Sequence, residues 1–141
     1  MQPQASFSGS YLPGDVEFLL QPVEMEMTPV DQKEALIQSG KKHYSDMLSQ
    51  EPAPTPWHLD LFKRALDSGA ERLAREVTQL ARELAARFGD EPVILVSLVR
   101  AGVPLGVMLH QALRDMGRPS FHYGISIIRD RGIDGEALKI I

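Results

Sequence analysis

The chain contains no cysteine. That excludes a disulfide framework, a thiolate metal site and a cysteine nucleophile among these 141 residues. Long apolar runs are missing too. None approaches the ~20 residues that span a bilayer. The opening "MQPQASFSGS" has neither the basic region nor the apolar core of a signal peptide. A cytoplasmic protein without membrane attachment is the expectation. Excess positive charge is also absent. The formal net charge of -4 provides no global field for nucleic acid or an anionic membrane. With aromatics at 6%, there is no stacking platform for single-stranded nucleic acid either. The four histidines, at 43, 58, 110 and 122, show no close pair at metal-ligand spacing, so each reads as structural and no metal site is expected from them. No Ser/His/Asp arrangement stands out, and Ser97 lies inside an apolar run rather than on a nucleophile turn.

What is present fits one ordinary globular domain, 43% hydrophobic and 24% charged. Two parts are expected: an N-terminal arm and helix over 1–56, and an α/β portion over 57–141. Residues 1–27 carry Pro3, Gly9, Pro13, Gly14 and Pro22 around one apolar cluster and read as an irregular arm. A helix then starts with Thr28 as N-cap, Pro29 first and Asp31 third, where its charge favours the helix N-terminus. Gly40 weakens that helix and allows a break. After the stiff "EPAPTP", residues 57–88 read as one long helix or two, with Ser68-Gly69 as the interruption. Leu66, Ala70, Leu73, Val77, Leu80, Ala81, Leu84 and Phe88 form its apolar stripe.

"VILVSLV" follows, a run expected as a strand buried on both faces, as in a parallel sheet. Residues 104–116 have helical spacing, with Pro104 first and Gly117 just past the end. "SFHYGISII" is the next strand, so the segment is a βαβ unit. The fold class is α/β: a helical N-terminal region followed by the first βαβ of a Rossmann-like parallel sheet that these residues leave incomplete. An unfinished parallel sheet exposes an edge, so self-association into a homo-oligomer is expected.

Ligands of open α/β sheets bind at the carboxyl ends of the strands, and "RAGVP" sits there. Arg100 leaves the strand, Ala101 and Gly102 keep the turn small, and the following helix N-terminus favours an anion. Arg100 is equally suited to cap a loop or pair with a carboxylate. "RDRGIDG" opens at the same edge and offers Arg129 and Arg131 beside glycines, although Asp130 and Asp134 partly cancel them. A solvated connecting loop is the plainer reading of that stretch. Lys41, Lys42 and His43 fall inside the first predicted helix and read as a solvated face.

"LVSLVRAGVPLG" resembles the first strand and loop of type I phosphoribosyltransferases. The resemblance implies a phosphoribosyltransferase-type sheet, with Arg100, Ala101 and Gly102 contacting a pyrophosphate. It also implies a hood loop carrying Arg129 and Arg131, and magnesium bridging the oxygens of phosphoribosyl pyrophosphate. A wider resemblance rests on "SFSGSYLPGDVEFLL", "SGKKHYSDML", "LVRAGVPLG" and "HYGISIIRDRGID". Together these are similar to the N-terminal part of a bacterial phosphoribosyltransferase-like family found with tellurite-resistance and stress genes, also labelled cysteine protease StiP. The expected function is binding of a small phosphorylated ligand and transfer of ribose 5-phosphate, with this fragment inactive alone. The acidic and Thr-Gly signature of the ribose-phosphate loop is not in these residues. Two alternatives accompany that reading. One is a non-catalytic phosphate-binding or regulatory module of a stress-response system. The other is the N-terminal part of a cysteine protease whose nucleophile lies outside this chain.

Overall fold

The computed structural model describes residues 7–141; the first six, with the expected arm residue Pro3, lie outside the described residues. The chain is mixed α/β, with a small sheet and several helices. In order it comprises β1 (Glu17–Phe18), α1 (Val30–Gln38), a 3-10 turn (Tyr44–Asp46), α2 (Pro56–Phe88), β2 (Val93–Val99), α3 (Val103–Asp115), β3 (Ser120–Ile128), β4 (Gly132–Ile133) and α4 (Gly135–Leu138). Contacts gather into two units: Pro22–Ala65, and the preceding segment to Gln21 together with Leu66–Ile141.

In the larger unit, β1, β3 and β2 lie side by side in that order, all parallel, and β4 folds back antiparallel onto β3. β2 and β3 pair from Val93↔Ser120 to Val99↔Ser126. The apolar β-branched run and the glycine–proline punctuation around it place β2 and β3 where the residue pattern predicts, and α3 one residue earlier, with Pro104 second in the helix rather than first. Gly89 and Gly117, at φ 55° and 69°, take the left-handed conformation that ends α2 and α3. The core on one side of the sheet joins Val77 and Ala81 of α2 to Val93 of β2 and Leu109 and Leu113 of α3. A second cluster, Val16, Val103 and Val107, seats the arm, with Tyr11 and Phe18 packed against it.

Three expectations need correcting. β2 is buried on one face only: Val93 and Ser97 are covered, while Ile94, Val96 and Leu98 are 36–49% exposed. Among the described residues, the helices supply a core for one side of this strand and leave the other bare. α2 runs unbroken through Ser68-Gly69. Nothing lies within 4 Å of a Cβ built at Gly69, so the glycine costs only helix propensity, about 1 kcal/mol. That is easily carried by a 33-residue helix with i,i+4 pairs such as Arg75–Glu71 at 2.6 Å and Arg72–Glu76 at 2.7 Å. Its apolar stripe is only partly used, because Val77 and Ala81 are buried whereas Leu66, Leu73 and Leu80 stay exposed.

In the smaller unit, α1 starts one residue later than predicted, with Pro29 rather than Thr28 as N-cap. It ends at Gln38, just before Gly40 turns the chain at φ 68°. Lys41, Lys42 and His43 are therefore outside any α-helix. His43 instead caps the 3-10 turn, its Nδ1 accepting from the Ser45 N–H.

Candidate functional site

Two places in the larger unit gather polar groups. The first is the mouth where β2 passes into α3. Arg100 and Ala101 are exposed there, and Gly102 is the N-cap of α3. Gly102 makes a close approach, since a Cβ would sit 3.2 Å from the Leu98 backbone N and O. Two donors of the turn are used within it. The N–H of Gly102 donates to the Leu98 carbonyl at 3.1 Å, that of Val103 to the Arg100 carbonyl at 3.2 Å, and Pro104 has none. For an anion the mouth offers the Arg100 guanidinium and the positive end of the α3 dipole. A groove of about 570 Å³ runs from this mouth along β2, walled by Val96, Leu98, Leu105 and Leu109. Arg129 and Arg131 lie in the tight hairpin turn joining β3 to β4, where Asp130 takes φ 64°. Among the described residues no group of three or more His, Asp or Glu side chains is placed to hold a metal ion.

The second place was not visible in the residue pattern. His110 of α3 and His122 of β3 lie with ring centroids 6.2 Å apart, both buried, below a cavity of about 730 Å³ edged by the arm. Each ring holds one carbonyl of the arm: Nε2 of His110 meets the Gly14 oxygen at 2.9 Å, and Nδ1 of His122 meets the Asp15 oxygen at 2.8 Å. A carbonyl only accepts, so those nitrogens carry the protons. Nδ1 of His110 is then left to accept from the Ser120 hydroxyl at 2.7 Å, and Nε2 of His122 from the Ser97 hydroxyl at 2.8 Å. The Asp15 carboxylate is itself held, accepting from the Leu12 N–H and from Nε2 of Gln111.

Burial holds both imidazoles below the ordinary histidine range, against the raising effect of the arm carbonyls. Neutral rings suit this arrangement, in which each nitrogen is satisfied. Ser97, His122 and Asp15 thus meet in space, but Asp15 contributes its backbone oxygen, and Ser97 and His122 are 6% and 4% exposed. A closed pair of this kind fastens the arm to the sheet. Local spacing cannot reveal it, because the partners are 96 and 107 residues apart.

A family model described as "Tellurite-like stress resistance cysteine protease StiP" matches residues 9–141. A protein of Acinetobacter baylyi described as "Cysteine protease StiP" is 58% identical over 135 residues, covering 96% of this chain and 35% of the relative. The chain therefore spans about a third of the length of the curated relative it matches. No solved structure matches. These findings overturn the expectation of a phosphoribosyltransferase that binds phosphoribosyl pyrophosphate. They equally displace the non-catalytic regulatory module, since family and relative are both named as a cysteine protease. The stress-associated half of the resemblance agrees with them. No helix among the described residues is long and apolar enough to cross a membrane.

Proposed function

The chain belongs to the StiP family of tellurite-like stress resistance proteins, and we propose on that premise that it is an α/β scaffold segment of a cysteine protease whose thiol comes from other residues. One observation carries this reading: a protease-named family model fits residues 9–141, yet the chain contains no cysteine. A thiolate is the nucleophile such chemistry requires, so this segment's role is to position and cover. The β2–α3–β3 unit supports a Rossmann-like sheet as its frame. Arg100, exposed at the mouth of that unit, is assigned to meet an anionic group of a ligand, with Ala101 and Gly102 keeping the turn small. Arg129 and Arg131 have a weaker claim, resting only on their hairpin's place after β3.

A peptidase assay tests the proposal, with the 141-residue chain run beside a longer family protein that contains the matched segment. The longer protein is expected to cleave unfolded protein substrates and to lose that activity on alkylation with iodoacetamide. This chain alone is expected to cleave nothing. Cleavage that is indifferent to alkylation, or cleavage by the 141-residue chain itself, would overturn the reading.

A further inference from the structure

We propose that the free edge of β2 and the apolar sheet face beside it form an internal docking surface. Its occupant is an apolar strand parallel to β2, supplied by the part of the longer family protein outside the segment matched here. The proposal rests on the family reading but not on protease activity.

The edge is the first observation. Among the described residues β2 pairs with β3 alone, although it is seven residues long. Its sequence VILVSLV contains no charge, proline or glycine, so it carries none of the usual devices that keep a solvent-facing edge from pairing. The groove along that edge has room for a strand, at about 570 Å³, and its walls are apolar: Val96 and Leu98 from the strand, Leu105 and Leu109 from α3.

The bare face is the second. Ile94, Val96 and Leu98 are 49%, 42% and 36% exposed, and Phe121, in register with Ile94, is 51% exposed. Parallel sheets are ordinarily covered on both faces. A neighbouring parallel strand with its crossover would close the edge and bring a cover for this face. The strands β1, β3 and β2 are already parallel, so the orientation continues the sheet.

The third observation names the source. This chain accounts for 35% of the length of its relative, which leaves ample sequence for a strand and a helix. A second copy of this chain answers less well. Two-fold pairing sets β2 antiparallel to its copy, and it leaves the face of Ile94, Val96 and Leu98 as open as before.

The test places Val96→Asp in two settings: this 141-residue chain, and a chimera in which the chain replaces the matched segment of the Acinetobacter baylyi relative. In the short chain Val96 faces solvent, so the melting temperature should move by no more than about 2 °C. In the chimera the aspartate would be buried, and a fall of at least about 5 °C is expected. Hydrogen exchange over Val93–Val99 in the unsubstituted proteins provides a second readout, expected at least ~10-fold slower in the chimera. It decides the matter if the substituted chimera does not fold. Equal small shifts with unchanged exchange would overturn the proposal. So would a dimer of the short chain that Val96→Asp dissociates, because the occupant would then be a second copy. Slow exchange in a chimera without peptidase activity keeps the docking surface and removes the protease reading instead.

Discussion

Gly106 lies on α3 directly over the Ser97–His122 pair, and substituting alanine there should be costly. A Cβ at this position would lie 2.2 Å from Nε2 of His122 and 2.3 Å from Oγ of Ser97. Neither neighbour is a flexible tip. Ser97 is 6% and His122 4% exposed, and they hydrogen-bond to each other at 2.8 Å. The added methyl must push them apart. Overpacking of this kind costs about 1–3 kcal/mol. Separating the buried pair adds roughly 1–3 kcal/mol. Alanine's better helix propensity returns about 1 kcal/mol, leaving a net loss of about 1–5 kcal/mol. Gly69→Ala in α2 is the matched control. Nothing lies within 4 Å of its Cβ, so the same substitution should stabilise by up to about 1 kcal/mol. Urea denaturation followed by circular dichroism reads both. A Gly106→Ala protein as stable as the parent would refute the packing argument, whatever Gly69→Ala does.

Two further outcomes follow from the same region. The unfolded chain takes up protons on His110 and His122 near pH ~6.5, whereas burial holds the folded rings lower. Stability should therefore be full above that pH and fall as the solution is acidified through it; thermal melts from pH 7.5 to 5 would show this, and a flat or rising profile would contradict it. Gly124→Ala would put a methyl 2.4 Å from Cδ1 of Phe18, forcing that ring off the sheet and loosening β1. Limited proteolysis should then cut residues 7–18 faster than in the parent, and unchanged cutting would count against the packing of the arm.

The elements legible in the sequence were those fixed by local pattern. Apolar, β-branched "VILVSLV" could hardly be anything but a strand, and Pro104 and Gly117 bracket α3 by backbone constraint alone. Burial was less legible. The apolar run implied cover on both faces, and the segment leaves Ile94, Val96 and Leu98 bare, because hydrophobicity records what a strand is built for rather than what this segment holds against it. Ser68-Gly69 misled for the opposite reason, since a single glycine's propensity cost is small beside the rest of a long helix. The histidine pair is illegible in the sequence because its partners are carbonyls of a distant arm, and a carbonyl leaves no mark there. "LVRAGVPLG" showed the limit most clearly. Its residues encode a tight strand-to-helix turn, which they make, but a turn is shared among reactions and does not identify one.

The central claim, that this segment scaffolds a thiol protease and lends it no nucleophile, is tested most directly by thiol-reactive labelling of a longer family protein, with the labelled residue mapped. One reactive cysteine outside the matched segment is expected, with peptidase activity lost in proportion to its modification. Peptidase activity that persists with every thiol blocked would contradict it.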